Sequence, residues 1–259
     1  MKLNSNSKML KREKELKNEL EVAWKKAADI ALSNNLKSPK SHKGEIARSN
    51  IKKACRRTLE KVGYHKMRIG DVMSEAGMAN GLFYHYFPDL KSLVIEVLLD
   101  FLSRFKGSIL DKPSLSKQEW YDVGYTYYFR IVKSYSLYPG MMQCMKEMMW
   151  EEPNFGALVR LVFIKSQEES LKKLPTDGIR SKMSNNQLRI ILRALGSIGE
   201  EILIDYYITK ESKISKLKIT ERAMAEYLTS LFYQAFFLEH PPIEKLKYDK
   251  ELKTWVAGQ

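Results

Sequence analysis

Apolar residues along this chain recur at spacings of three and four, the pattern of helices with one buried face. The extended period-two alternation that marks strands is missing, as are Asn-Gly and Asp-Gly hairpin turns. Leu16, Leu20, Trp24, Ala27 and Ala31 form one stripe and predict an amphipathic helix over 9–33. A polar linker follows to residue 44, punctuated by Pro39 and Gly44. A compact helical unit is expected from about Glu45 to Tyr86. A longer helix then carries Leu93, Val97, Phe101 and Phe105 from Asp89 to about Leu110, with a break near Pro113. Five further helices are predicted: 117–135, 140–151, Pro153 to about Leu174, 186–208 with Ser184 or Asn185 as cap, and 220–239. Thr220 is the expected N-cap of the last, and Pro241-Pro242 its stop.

The fold class is therefore all-α, with a small N-terminal three-helix domain ahead of a larger helical bundle. Four segments are expected: an N-terminal basic helical extension and linker at 1–44, a small domain at 45–88, the bundle at 89–242, and a polar tail at 243–259. No run of eighteen apolar residues exists to span a membrane, and no apolar leader follows the basic start.

The stretch from Arg48 to Leu93 is the most informative. Its first helix is expected to bury Ile51, Ala54, Cys55, Leu59 and Val62 and to end at Gly63, in a position suited to a left-handed residue. A short second helix from about Arg68 to Ala76 buries Ile69, Val72 and Met73. Gly77 then allows a sharp turn, because a residue without Cβ adopts positive φ easily. Met78 packs inward, and a brief aromatic third helix runs from Ala79 to Tyr86. Two short helices joined by a glycine-containing turn of three residues meet the requirement of a helix-turn-helix, whose second helix enters the major groove.

Charge sharpens this picture. Of the 44 basic and 31 acidic residues, 23 and 13 lie in residues 1–112, so that segment carries ten of the net thirteen positive charges. Such an excess attracts polyanions through Coulomb forces and counterion release without choosing among them.

The run Ala-Gly-Met-Ala-Asn-Gly-Leu-Phe-Tyr-His-Tyr-Phe at 76–87, with Arg48, Ile51, Ala54, Gly63-Tyr64, Ile69, Val72, Lys91 and Leu93 at matching spacing, resembles the TetR family of transcriptional regulators. The resemblance covers about a fifth of the chain by motif. It implies that Ala79, Asn80, Gly81, Leu82, Tyr84 and His85 face the DNA groove or its phosphate walls. Asn80 is then the candidate base reader, since an amide can pair bidentately with adenine. Tyr84 and His85 are assigned to phosphate or sugar, and Phe83 and Phe87 to the core. The chain departs from the family pattern in three places. Arg68 stands where a small hydroxyl residue usually caps the second helix, and it is a candidate phosphate contact. Leu82 replaces Thr or Ser and offers an apolar surface to a thymine methyl. Lys91 is one position beyond the family's phosphate-binding lysine. Lys37, Lys40 and Lys43, just ahead of the first helix of the motif, are candidates for extra phosphate contacts.

The resemblance also implies an effector cavity in the larger domain, expected among Trp120, Tyr127, Tyr128, Met141, Met145, Met149, Phe155 and Phe163. Methionine is flexible and polarisable and suits a site for varied apolar shapes. Taken alone, such aromatic and methionine stripes are more often core than pocket. The stripes Leu188-Ile191-Leu195-Ile198-Ile202 and Ala223-Tyr227-Leu231-Ala235-Leu238 offer more apolar surface than a monomer uses. By the resemblance, these two helices pair with their copies in a homodimer.

Other classes fit poorly. The four histidines, His42, His65, His85 and His240, lack the glutamate three positions earlier that a di-metal bundle needs. No phosphate loop, nucleophile elbow or zinc spacing is present, so no catalytic residue, metal or cofactor is expected. Cys55 and Cys144 are too few for a disulfide framework and too separated in sequence for a ligand pair. The expectation is a bacterial, cytoplasmic, nucleoid-associated repressor. It would bind a palindromic operator as a homodimer and be released by a small apolar ligand. A non-specific architectural DNA-binding protein is the alternative.

Overall fold

The computed structural model describes Glu15, Asn18, Glu19 and Val22, then residues 41–103, 115–175 and 182–258. Every regular element among these residues is helical. The four early positions are helical too, but the rest of the helix expected over 9–33, with Lys37 and Lys40, lies outside the described residues.

The first helix, α1, spans His42–Val62. It begins three residues before the expected start because the Ser41 hydroxyl accepts the Gly44 N–H at 3.2 Å, satisfying one of the free amides of the first turn. Ile51, Ala54, Cys55 and Leu59 are buried, each fully burying apolar side chain being worth about 1.5–3 kcal/mol. Val62, expected inside, is exposed, since it is the last residue before the chain turns away. That turn is Gly63 at φ 71, ψ 168, a region that side chains with a Cβ essentially do not enter.

Helix α2, Ile69–Ala76, starts with the Asp71 carboxylate accepting the Arg68 N–H at 2.8 Å. It stops at Gly77, whose left-handed φ 67, ψ 33 lets Met78 N–H close back on Met73 O at 2.9 Å. A 3-10 turn, Asn80–Leu82, runs into the short helix α3, Phe83–Tyr86. Helix α4, Leu90–Ser103, follows with Asp89 as its cap, accepting Ser92 N–H at 2.7 Å. The expected continuation of this helix to Leu110 lies outside the described residues.

Charge fastens α4 to α1. Arg48 makes a two-pronged pair with Glu96 while its guanidinium lies over the Phe87 ring, 4.5 Å from the centroid. Lys52 reaches Glu96 at 2.9 Å and also pairs with Asp100.

After α5, Lys117–Leu137, come α6, Pro139–Glu151, and α7, Pro153–Lys173. The chain forms two compact units, but not as a linear succession. One takes residues 1–107 together with 140–165; the other takes 108–139 together with 166–259. The start of α6 joins the first unit by lying directly on α1. A Cβ on Gly140 would come within 2.5 Å of Leu59 O and 2.8 Å of Glu60 Cα, so only glycine permits this approach. The Glu60 carboxylate then accepts the N–H groups of Gly140 at 2.7 Å and Met141 at 3.0 Å, serving as a cap borrowed from another helix. Burial raises the proton affinity of the Glu60 carboxyl above the ordinary range, and the two amides work against that rise. Cys55 and Cys144 are both buried free thiols, and burial pushes the Cys144 thiol well above its ordinary range. Burial pushes the Cys55 thiol up to about 12.

In the second unit, Ser116 and Glu119 box the start of α5, and Ser184 and Gln187 do the same for α8, Asn185–Ile204. A π turn at Asp205–Thr209 ends that helix. Helix α9, Glu221–Phe237, begins as expected at Thr220, which accepts Ala223 N–H at 3.2 Å. It ends before the proline pair, at Leu238 with φ 55. Aromatic rings pack α5 on α9: Trp120 on Phe236 and Phe237, Tyr121 on Tyr233, and Tyr128 on Phe232 at 5.0 Å.

The segment after 243 is more than the expected polar tail. It contains a 3-10 turn at Ile243–Lys245 and helix α10, Lys250–Ala257, with Leu246 fully buried between them. Its anchor is Glu226, a buried carboxylate in the middle of α9. That group accepts the N–H groups of Lys247 at 2.7 Å, Tyr248 at 3.1 Å and Asp249 at 2.8 Å. No helix among the described residues is long and apolar enough to cross a membrane.

Candidate nucleic-acid interface

The short helix α3 is anchored by two buried rings. Phe83 and Phe87 are both fully buried and pack ring to ring at 5.9 Å, fixing one face of α3 against α1 and α2. The opposite face is left outward. Ala79, Asn80, Gly81, Leu82, Tyr84 and His85 are all exposed, Leu82 by 40% and Tyr84 by 60%. Tyr84 sets its ring edge-on against Phe83 and leaves most of its side chain in solvent. Six of the residues expected to face DNA are thus exposed, and Phe83 and Phe87, expected in the core, are buried.

Asn80 lies beside the first turn of α2. A Cβ on Gly70 would sit 3.6 Å from its Nδ2, an ordinary contact distance, so the amide rests over the helix without being pinned by a side chain there. Arg68 stands at the start of α2 and is exposed. Its guanidinium folds back to donate to His65 O and Met67 O, both at 3.0 Å. It does not cap α2; Asp71 does that work.

Lys91 is exposed in the first turn of α4, but its ammonium is held by Glu152 at 2.7 Å. The Glu152 bond raises its hold on its proton, partial burial works against that rise, and the charges of Glu152, Asp89 and Glu151 add to it. Lys43, at the start of α1, is exposed. Sequence reasoning missed both Glu60 at the start of α6 and Glu152 on Lys91. Each is a contact between residues more than sixty positions apart, and no local pattern signals it.

The eight residues expected around an effector divide between the two units. Met141, Met145, Met149, Phe155 and Phe163 belong to the first, with Met141, Met145 and Phe155 buried. Trp120, Tyr127 and Tyr128 belong to the second. There Trp120 and Tyr128 are buried against α9, and Tyr127 is partly exposed. Neither unit by itself gathers all eight. Among the described residues no cluster of histidine, cysteine and carboxylate side chains could hold a metal ion.

Residues 51–97 match the family model described as bacterial regulatory proteins, tetR family. No curated protein matches the chain. Among solved structures, a TetR transcriptional regulator from Rhodococcus sp. RHA1 is similar, with 17% identity and a TM-score of 0.44, over 75% of this chain and 98% of that one. The helix-turn-helix of residues 51–97, with the outward strip 79–85 set on buried Phe83 and Phe87, is thus similar to the DNA-binding module of bacterial tetR-family regulators.

Proposed function

We propose that the protein acts as a homodimeric repressor that places residues 79–85 of each subunit in the major groove of one half of a palindromic operator. The observation that carries this reading is the strip from Ala79 to His85, exposed throughout except for the inward Phe83. Asn80 reads a base, Leu82 meets a thymine methyl, and Tyr84, His85 and Arg68 hold the backbone. An amide is suited to adenine, and contacts to phosphate position the head without carrying sequence information.

Support for the dimer comes from the outer face of α8 and α9. Ile190 is 69% exposed, Ile198 52% and Leu238 70%, with Tyr227 also outward. Gly196 adds an open spot on α8 where no atom lies within 4 Å of its would-be Cβ. Large apolar side chains left outward on these helices are the kind of surface a partner covers. Two heads so joined fit half-sites about 34 Å apart, or multiples of that spacing.

Release follows from a small apolar ligand that prefers one of two arrangements of the subunit, since only a differential affinity shifts such an equilibrium. Trp120 and Tyr128, packed on α9, are among its expected contacts, where a ligand would have to part them from Phe232, Phe236 and Phe237. The remaining expected pocket residues, Met141, Met145, Met149, Phe155, Phe163 and Tyr127, are to be tested by substitution.

The deciding experiment is selection of bound duplexes from a random pool, followed by gel-shift titration of the selected and a random duplex. The expected result is a two-fold symmetric site bound at least about 10³-fold more tightly than random sequence. Equal affinity for both duplexes would leave a non-specific architectural protein instead.

A further inference from the structure

We propose that Glu152 sets how tightly this protein holds DNA, by keeping Lys91 off the phosphate backbone. The inference rests on the reading of residues 79–85 as the DNA-facing strip and adds to it an internal competitor for one cation.

Lys91 is close to that strip in the chain. Only Tyr86 to Leu90 separate it from His85, and Asp89 caps the helix it begins. Its side chain is 47% exposed, so a phosphate could reach it, yet its Nζ is 2.7 Å from Glu152 Oε1. Glu151 and Asp89 act on the same ammonium. With a carboxylate already on the ammonium, a phosphate must displace Glu152 to reach Lys91. Tyr64 reports the same convergence: after burial, the charges of Glu151, Glu152 and Asp89 help push its hydroxyl up to about 12.

The contact is built to be exchanged. Glu152 is the single residue between α6 and α7, and its carboxylate is only 17% exposed, so the backbone fixes it in place. Lys91 is the mobile partner, an ammonium on a four-carbon stem that reorients without moving its helix. A partly exposed ion pair of this sort is weak, so a phosphate can displace it once the corner around Glu152 gives way. Any shift of the α6–α7 corner away from α4 therefore frees one additional cation for DNA, and the return of the corner withdraws it.

The test uses the full-length protein and two purified variants, Glu152→Gln and Lys91→Met, with their combination. Fluorescence anisotropy with a random-sequence duplex measures affinity across a salt series. Glu152→Gln is expected to bind roughly three- to tenfold more tightly at low salt, with the logarithmic salt dependence steeper by about 0.9 for the added phosphate contact. Lys91→Met in the unaltered background is expected to change little, because its cation is already occupied. Combined with Glu152→Gln, it should abolish both the gain and the added slope. Circular dichroism checks that each variant is folded; if Glu152→Gln unfolds, Glu152→Ser replaces it with the same expectation. An unchanged slope in the glutamate variant, or a gain that survives loss of Lys91, overturns the inference alone. A parent protein that binds no duplex at all overturns the DNA reading and this inference with it.

Discussion

Asn80 and Phe83 are three residues apart and have opposite fates, one outward and one fully buried. The difference lies in the turn between them: a 3-10 segment over 80–82 delivers Phe83 to the core while keeping the Asn80 amide in solvent. Replacing Asn80 with alanine removes the amide and its light contact over Gly70 while leaving the buried rings of Phe83 and Phe87 in place. The expected cost is about 1–3 kcal/mol of binding to the selected operator, with relaxed preference at one base pair. An equal loss on operator and random DNA would assign Asn80 to the backbone instead. This scale was the most legible in the sequence, because Gly77, Phe83 and Phe87 each have a local physical reason for their place. Arg68 and Lys91 were only half legible. Their exposure could be anticipated, but the carbonyls of His65 and Met67, and the carboxylate of Glu152, are set by the folded chain.

At the level of helices, caps were readable and contacts were not. Ser184 and Thr220 sit at helix starts as their side chains dictate, whereas α1 begins early at Ser41 and α9 stops early at Leu238. The attachment of α4 to α1 is electrostatic as well as apolar, and it has a testable pH signature. Burial tends to raise the Glu96 carboxyl, but Arg48 and Lys52 outweigh it and bring its proton affinity below the ordinary value. A carboxyl depressed in the folded state contributes stability above its unfolded value of about 4.3, and that contribution is lost as pH falls through the lower folded value. Glu96→Gln is therefore expected to lower stability at neutral pH by roughly 1.5–3 kcal/mol. It should also flatten the acid limb of a urea-unfolding series. A variant whose stability falls with acid as steeply as the parent's would show that other carboxylates carry that limb.

For the whole molecule, the positive excess belongs to the first 112 residues, and the outward apolar face to α8 and α9. This separation suits a protein that grips a polyanion with one part and its own copy with another. Ile190→Glu with Ile198→Glu places two charges on the apolar face. Sedimentation should then find a monomer, with operator affinity reduced because the second head no longer binds at high effective concentration. A dimer that persists would move the interface elsewhere. The two compact units were the least legible feature of all. Residues 140–165 join the first unit because Gly140 can lie on Leu59 and Glu60, a contact across eighty positions that no periodicity encodes.

The Glu226 carboxylate makes the far end of the chain part of the interior rather than an appendage. Cutting the protein before Lys247 would strip a buried side chain of three backbone donors at once, so a truncation that looks harmless by sequence is expected to lower the urea midpoint of unfolding.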